Sequence, residues 1–213
     1  MGGDLGEVNK EQKESLDTVY HGSKRLVRLV NDLLNVSRLE SGRLKIEPKP
    51  HQLEALIDDA INEVGPLAEK KSCKVTFHKP EKKLPELPLD EGLFHQVIHN
   101  LLTNAIKYSS EDSPTVDISI KGVDDMYEIS VVDNGIGIPQ LSQAKLFEKF
   151  YRAENATLKS TDGTGMGLYL AKMILTSAGG SINFTSEENV GTTFNVCIPQ
   201  TGMIAKSGEK GLA

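Results

Sequence analysis

The chain has 213 residues, 38% of them hydrophobic and 25% charged, which fits an ordinary soluble globular protein able to bury a core, and it contains no internal repeat or low-complexity tract. A formal net charge of −6 argues against a non-specific grip on nucleic acid or anionic lipid. No apolar run approaches the roughly 18 residues of a membrane span, and neither a signal peptide nor a myristoylation signal is present at Met1-Gly2-Gly3-Asp4, Gly6 standing where the latter needs Ser or Thr. Cys73 and Cys197, without a CxxC, read as reduced thiols of a cytoplasmic protein.

In chain order, the first element is a long amphipathic helix. A heptad frame places Leu16, Ser23, Val30 and Ser37 at one seam position and Val19, Leu26 and Leu33 at the other, flanked by Tyr20, Val27 and Leu34 and widened by Leu29 and Val36. So broad a face suits a helical bundle better than a two-stranded coil, and it implies partner helices. Gly42 supplies the C-terminal stop. Beyond it, Arg43 to Lys49 reads as a short strand, and Leu53, Leu56, Ile57, Ala60, Ile61 and Val64 recur at helical spacing. Lys74 to His78 reads as a strand, followed by a loop punctuated by Pro80, Pro85 and Pro88. Leu93, Val97, Leu101 and Ala105 define a second helix; Val116 to Ile120 and Tyr127 to Val131 alternate as strands. A glycine-rich region leads to a helix near Gly165 to Ala178, and strands at Ser181 to Thr185 and Thr192 to Ile198 close the pattern. The fold class expected is α+β, a two-layer α/β sandwich with one sheet face covered by helices, preceded by one long amphipathic helix. The organisation expected is 1–42 as the helix, 43–200 as the sandwich and 201–213 as a disordered tail.

Three stretches carry chemistry. Asn100, Asn104, Lys107 and Tyr108 lie at i, i+4, i+7 and i+8, on one helix face. Asparagine is unfavourable inside helices. Carboxamide oxygens suit a hard cation and the lysine suits a phosphate, although a solvated polar stripe is the simpler alternative. In Val131-Val132-Asp133-Asn134-Gly135-Ile136-Gly137-Ile138-Pro139, Asp133 shares the parity of the inward residues Ile129 and Val131, and a carboxylate there is costly unless it serves a partner or ligand. Asn-Gly also signals a hairpin, but Pro139 and the residues after it do not read as a returning strand. Thr161-Asp162-Gly163-Thr164-Gly165-Met166-Gly167-Leu168 leads into an apolar helix and offers free N–H groups to a phosphate, or is a plain loop-to-helix turn. It is neither the dinucleotide fingerprint nor a P-loop.

In this order and at these distances the three stretches resemble the N, G1 and G2 boxes of the histidine-kinase ATP-binding domain, the Bergerat or GHKL fold. Leu146-Phe147-Glu148-Lys149-Phe150-Tyr151-Arg152 is similar to that family's F box, and Arg25-Leu26 through Asn31-Asp32-Leu33-Leu34 to Gly42 resembles the second helix of its dimerisation domain. The resemblance implies binding of ATP with Mg²⁺ and transfer of the γ-phosphoryl group to a histidine, in two-component signalling. By that carry-over, Asp133 accepts the adenine amino group, Thr192 supports it through water and Tyr108 packs near the base. Gly135, Gly137 and Ile138 shape the adenine wall and Leu168 closes it. Asn100 and Asn104 hold Mg²⁺, while Lys107 and Arg152 touch the phosphates. Gly163, Gly165 and Gly167, with Thr164 and Met166 among them and Phe150 at the other end, border a lid over 151–165. Asn104 and Lys107 are the catalytic pair in this reading.

The family's acceptor histidine, followed by Glu or Asp and four residues later by Pro or Asn, is matched by none of His21, His51, His78, His95 and His99. His95 and His99 have metal-ligand spacing, but HQVIH lacks the zincin glutamate. The expectation is therefore a chain that begins near the turn of the dimerisation hairpin and meets a histidine-bearing helix in cis or in trans, with a response regulator downstream, a homodimer through residues 16–37, and a parent kinase that can be membrane-anchored. Two readings compete: a docking module that holds ATP or ADP with little transfer activity, and an ATPase of the same fold.

Overall fold

A computed structural model describes residues 8–160 and 163–208. Helix α1 spans Lys10–Glu40. Its start is fixed by a capping box: Gln12 N donates to Asn9 Oδ1 at 2.8 Å, and Asn9 N donates to Gln12 Oε1 at 2.9 Å. Its end is a Schellman turn, with Arg43 N on Arg38 O (2.8 Å) and Gly42 N on Leu39 O (3.1 Å), Gly42 taking φ +69°. Val36 and Leu39 are buried, whereas Leu16, Val19, Leu26 and Leu33 of the upstream stripe stay exposed.

The rest follows as β1 (Lys49–His51), α2 (Leu53–Lys70), β2 (Lys74–His78), β3 (Leu87–Leu89), α3 (Glu91–Tyr108), β4 (Thr115–Val123), β5 (Met126–Asp133), α4 (Gln140–Gln143), α5 (Glu154–Lys159), α6 (Gly167–Ser177), β6 (Ser181–Glu187) and β7 (Gly191–Pro199). The main sheet has the order β2-β4-β5-β7-β6, parallel between β2 and β4 and antiparallel elsewhere. Period-two alternation sends Val116, Ile118, Ile129, Val131, Phe194, Val196 and Ile198 to one face, where α2, α3 and α6 cover them. This is the α+β two-layer sandwich that the patterning implies.

Three sequence expectations change. Residues 43–48 form no strand; Ile46 makes an isolated bridge to Lys206, and the strand begins at Lys49, because its partner β3 lies inside the proline-rich loop. Two short helices, α4 and α5, occupy the glycine-rich region. Residues 201–208 are packed rather than disordered: Met203 is buried, its N–H bonds Pro88 O at 2.7 Å, and Ile204 N bonds Ala178 O at 3.0 Å. An apolar side chain and backbone pairing hold a segment whose composition alone reads as a tail. Residues 209–213 lie outside the described residues.

Candidate nucleotide-binding site

The sequence of α3 divides it into two faces. Phe94, Val97, Ile98, Leu101, Leu102, Ala105 and Ile106 are buried against the sheet and neighbouring helices, which turns Gln96, His99, Asn100, Thr103, Asn104 and Lys107 toward a cavity of about 750 Å³. Asp90 caps the helix, its Oδ1 accepting from Leu93 N at 3.1 Å. The opposite walls come from the ends of β5 and β7, the loop at 136–138, residues within 151–160 and 163–165, and the start of α6.

At the C-terminal end of α3 the cavity floor is Asp133, 7% exposed, beside the equally buried Thr192 paired to it across the sheet. Burial raises the Asp133 carboxyl from its ordinary 3.8 to about 6, although backbone N–H groups of Gly135 and Thr192 pull the other way. Gly135 N donates to Asp133 Oδ1 at 2.9 Å. The loop after Asp133 runs so close to α3 that a Cβ on Gly135 would lie 2.1 Å from Tyr108 O, so glycine is required there. Ile136 N bonds the same carbonyl at 3.0 Å, and Ile138 N bonds Ser186 Oγ at 2.9 Å, fixing the wall from both sides.

Farther along, two cations converge. A Cβ on Gly163 would lie 3.3 Å from Arg152 Nε and 3.5 Å from Lys107 Nζ, so this glycine faces both groups in a cradle of positive charge. The Arg152 guanidinium also donates to Ala156 O at 3.1 Å and to Ser160 O, which shapes the segment around it. Asn100 Nδ2 donates to Gly167 O at 3.2 Å, tying α3 to the start of α6 and leaving its oxygen beside Gly167. Asn104 lines the cavity one turn away, and its side chain makes no hydrogen bond among the described residues.

Of the residues singled out in the sequence, the structure gathers Asn100, Asn104, Lys107, Tyr108, Asp133, Gly137, Ile138, Arg152, Gly163, Thr164, Gly165, Gly167, Leu168 and Thr192 around this one cavity. Three it does not. Gly135 is buried and does not line the cavity. Met166, 1% exposed, faces a separate groove against Val36 and Glu40 of α1. Phe150, with φ +61°, is turned into that same groove, and Gly165 at φ +71° passes so close that a Cβ would meet the Phe150 carbonyl carbon at 2.6 Å. Thr161 and Asp162 lie outside the described residues. Next to the groove, the Lys149 ammonium pairs with Glu40, whose carboxylate also accepts from Tyr169 Oη at 2.9 Å.

Sequence reading missed other wall residues. Asn155, on α5, donates from Nδ2 to Gly137 O at 3.0 Å. Toward the N-terminus of α3, His95 Nε2 sits 2.8 Å from Glu63 Oε2 and His99 Nε2 sits 3.8 Å from Glu63 Oε1, the imidazoles stacked at 5.9 Å. Burial lowers the His99 pKa. The i, i+4 spacing of the histidines was a visible signal; Glu63 comes from another helix and gave none.

A family model described as "Histidine kinase-, DNA gyrase B-, and HSP90-like ATPase" matches residues 89–202, and one described as "His Kinase A (phospho-acceptor) domain" matches residues 3–42. Among curated proteins, the chain is 30% identical to the circadian input-output histidine kinase CikA of Synechococcus elongatus over 94% of its own length and 26% of that protein. It is 34% identical to the sensor protein SrrB of Staphylococcus aureus over 89% of its length and 32% of that protein, so it spans about a quarter to a third of these relatives. Among solved structures, full-length ShkA in complex with AMPPNP shares the fold, with a TM-score of 0.77 at 24% identity over 96% of this chain and 42% of that one.

Proposed function

The chain belongs to the histidine kinase-, DNA gyrase B- and HSP90-like ATPase family, and on that premise we propose that it is the ATP-binding catalytic core of a sensor histidine kinase in two-component signal transduction. Residues 1–42 are part of a phosphoacceptor and dimerisation domain, 43–200 the catalytic domain. The observation that carries this reading is the polarity of one cavity: a buried carboxylate with hydrogen-bonding neighbours at one end and a two-cation cradle at the other, joined by an asparagine-bearing helix face. A carboxylate accepts from the amino group of adenine and repels the carbonyl that guanine carries at the same position, so Asp133 selects the base. Thr192 supports Asp133, Tyr108 and Ile138 flank the base, and Leu168 closes the wall. Lys107 and Arg152 meet the phosphates at Gly163, where a side chain would fill the space.

The donor set fits a hard cation: Asn104 offers a carboxamide without a partner among the described residues, and Asn100 an oxygen beside Gly167. Mg²⁺ held there against the phosphates would supply charge neutralisation. Catalysis by this chain's own residues is positioning: Asn104 and Lys107 orient the terminal phosphoryl group, and the 151–165 segment keeps water from it. The phosphoryl group passes from ATP to a histidine nitrogen on a dimerisation helix in cis or trans and onward to a response regulator, the assembly pairing through residues 16–37. No helix among the described residues is long and apolar enough to cross a membrane. We place the domain in the cytoplasm, within a parent kinase that can be membrane-anchored.

Titration with ADP and a non-hydrolysable ATP analogue, with and without Mg²⁺, tests the pocket. Mg²⁺-assisted binding that Asp133→Asn weakens roughly 30- to 100-fold is expected. Labelled ATP supplied with a separate histidine-bearing helical hairpin tests transfer: label on the hairpin supports the kinase, whereas phosphate release without any acceptor replaces it by an ATPase.

A further inference from the structure

Asn155 lines the cavity on α5, and its two ends behave differently. Nδ2 donates to Gly137 O at 3.0 Å, and because a carbonyl only accepts, this bond decides which end of the carboxamide is oxygen. The oxygen, Oδ1, is closed off from solvent and has no hydrogen-bond partner; among the described residues it is the one buried side-chain atom in that position. Buried carboxamide oxygens in native proteins almost always have a donor, and an exception calls for an explanation. Here the atom belongs to a side chain that already bridges two walls of the cavity, the lid segment and the loop after Asp133.

Resting on the nucleotide reading above, the geometry points to Asn155 as a nucleoside-recognition residue: Oδ1 accepts a hydrogen bond from the bound nucleoside as α5 settles over it. The donor is an N–H or O–H of that nucleoside, either the 6-amino group of the purine or a ribose hydroxyl. The amino group has two hydrogens and Asp133 takes one, so the base has a donor to spare. The Nδ2–Gly137 bond holds the carboxamide with its oxygen as acceptor, so the site favours donors over acceptors at this point. Adenine carries an amino group where guanine carries a carbonyl, so an acceptor here would add to the selectivity of Asp133.

The test compares wild type with Asn155→Ala by calorimetry, using ADP, purine riboside diphosphate (no 6-amino group), 2′-deoxy-ADP and 3′-deoxy-ADP. The quantity read is the affinity ratio of ADP to each analogue within one protein, so a general loosening of the lid cancels. One analogue is expected to show a ratio about five- to tenfold larger in wild type than in Asn155→Ala, and which one it is separates base from sugar. Identical ratios in both proteins, with Asp133→Asn still weakening ADP binding roughly 30- to 100-fold, would overturn this role and leave the pocket assignment standing. ADP binding that is insensitive to Asp133→Asn overturns the pocket assignment, and the role of Asn155 with it.

Discussion

Replacing Asp133 by asparagine is expected to stabilise the free protein while disabling it. The carboxamide keeps an oxygen for the Gly135 N–H, which Asp133 Oδ1 accepts at 2.9 Å, and removes a charge that burial opposes. Raising the carboxyl from 3.8 to about 6 means that holding it ionised in the fold costs about 3 kcal/mol, at ~1.4 kcal/mol per tenfold in proton affinity. With the group 7% exposed, solvent screening removes little of this. The sign follows from proton counting. Between 3.8 and about 6 the folded state holds more of this proton than the unfolded chain, so the wild type loses stability as pH rises through that window. The variant lacks that loss. Its advantage should therefore be fully present above about pH 7, about half as large at pH 5 and absent below the ordinary value. At pH 8 the gain corresponds to at most about 6–12 °C in Tm for a domain of this size. Thermal and urea melts of both proteins without nucleotide, from pH 5 to 8, measure it. A variant no more stable than wild type at pH 8, or an advantage that does not shrink toward pH 5, would refute the claim that Asp133 is held charged against its surroundings. In the same variant, an amide N–H would face the adenine amino group, donor against donor, and ADP affinity should fall by roughly 30- to 100-fold. Stability given up to keep a ligand-binding carboxylate is an ordinary trade at functional sites.

Gly135→Ala should cost about 2–4 kcal/mol in a urea titration, because its Cβ would lie 2.1 Å from a backbone oxygen that cannot step aside; a change below about 0.5 kcal/mol would show that the loop relaxes freely. Leu26→Glu and Leu33→Glu, on an apolar stripe exposed by 62% and 55% at those residues, should shift the chain toward monomer in sedimentation at concentrations where wild type self-associates; unchanged sedimentation would place the dimer contact elsewhere. Lys149→Ala should speed hydrogen exchange at the end of α1 without changing ADP affinity, since Lys149 and Tyr169 hold Glu40 there. Hydrogen bonding from Lys149 and then Tyr169 lowers the Glu40 pKa, so the same loosening in wild type should appear only as pH falls below the ordinary carboxylate range; exchange that is unaltered by the substitution would show that Val36 and Leu39 alone secure α1.

Much of this protein was legible in its residues because period and parity act within single elements. The 3.6-residue spacing of α3 put Asn100, Asn104 and Lys107 on one face before any packing was known, and strand parity turned Asp133 inward. The order of the boxes carried the family, and the family carried the sheet. Other features arise only when distant segments meet. The φ of +61° at Phe150 turns it to α1, and nothing in the F-box letters encodes that dihedral. Met166, one residue from the cavity in sequence, faces the other way, directly after Gly165 at φ +71°. The packing of 201–208 depends on Pro88 and Ala178, more than a hundred and more than twenty residues earlier. The same holds for Asn155, an ordinary polar residue in sequence, whose oxygen is enclosed only because α5 folds against the Gly137 loop. Sequence determined which faces exist and which chemistry they carry. Tertiary structure decided which faces meet, because proximity across the chain and the desolvation that comes with it are properties of the packed whole.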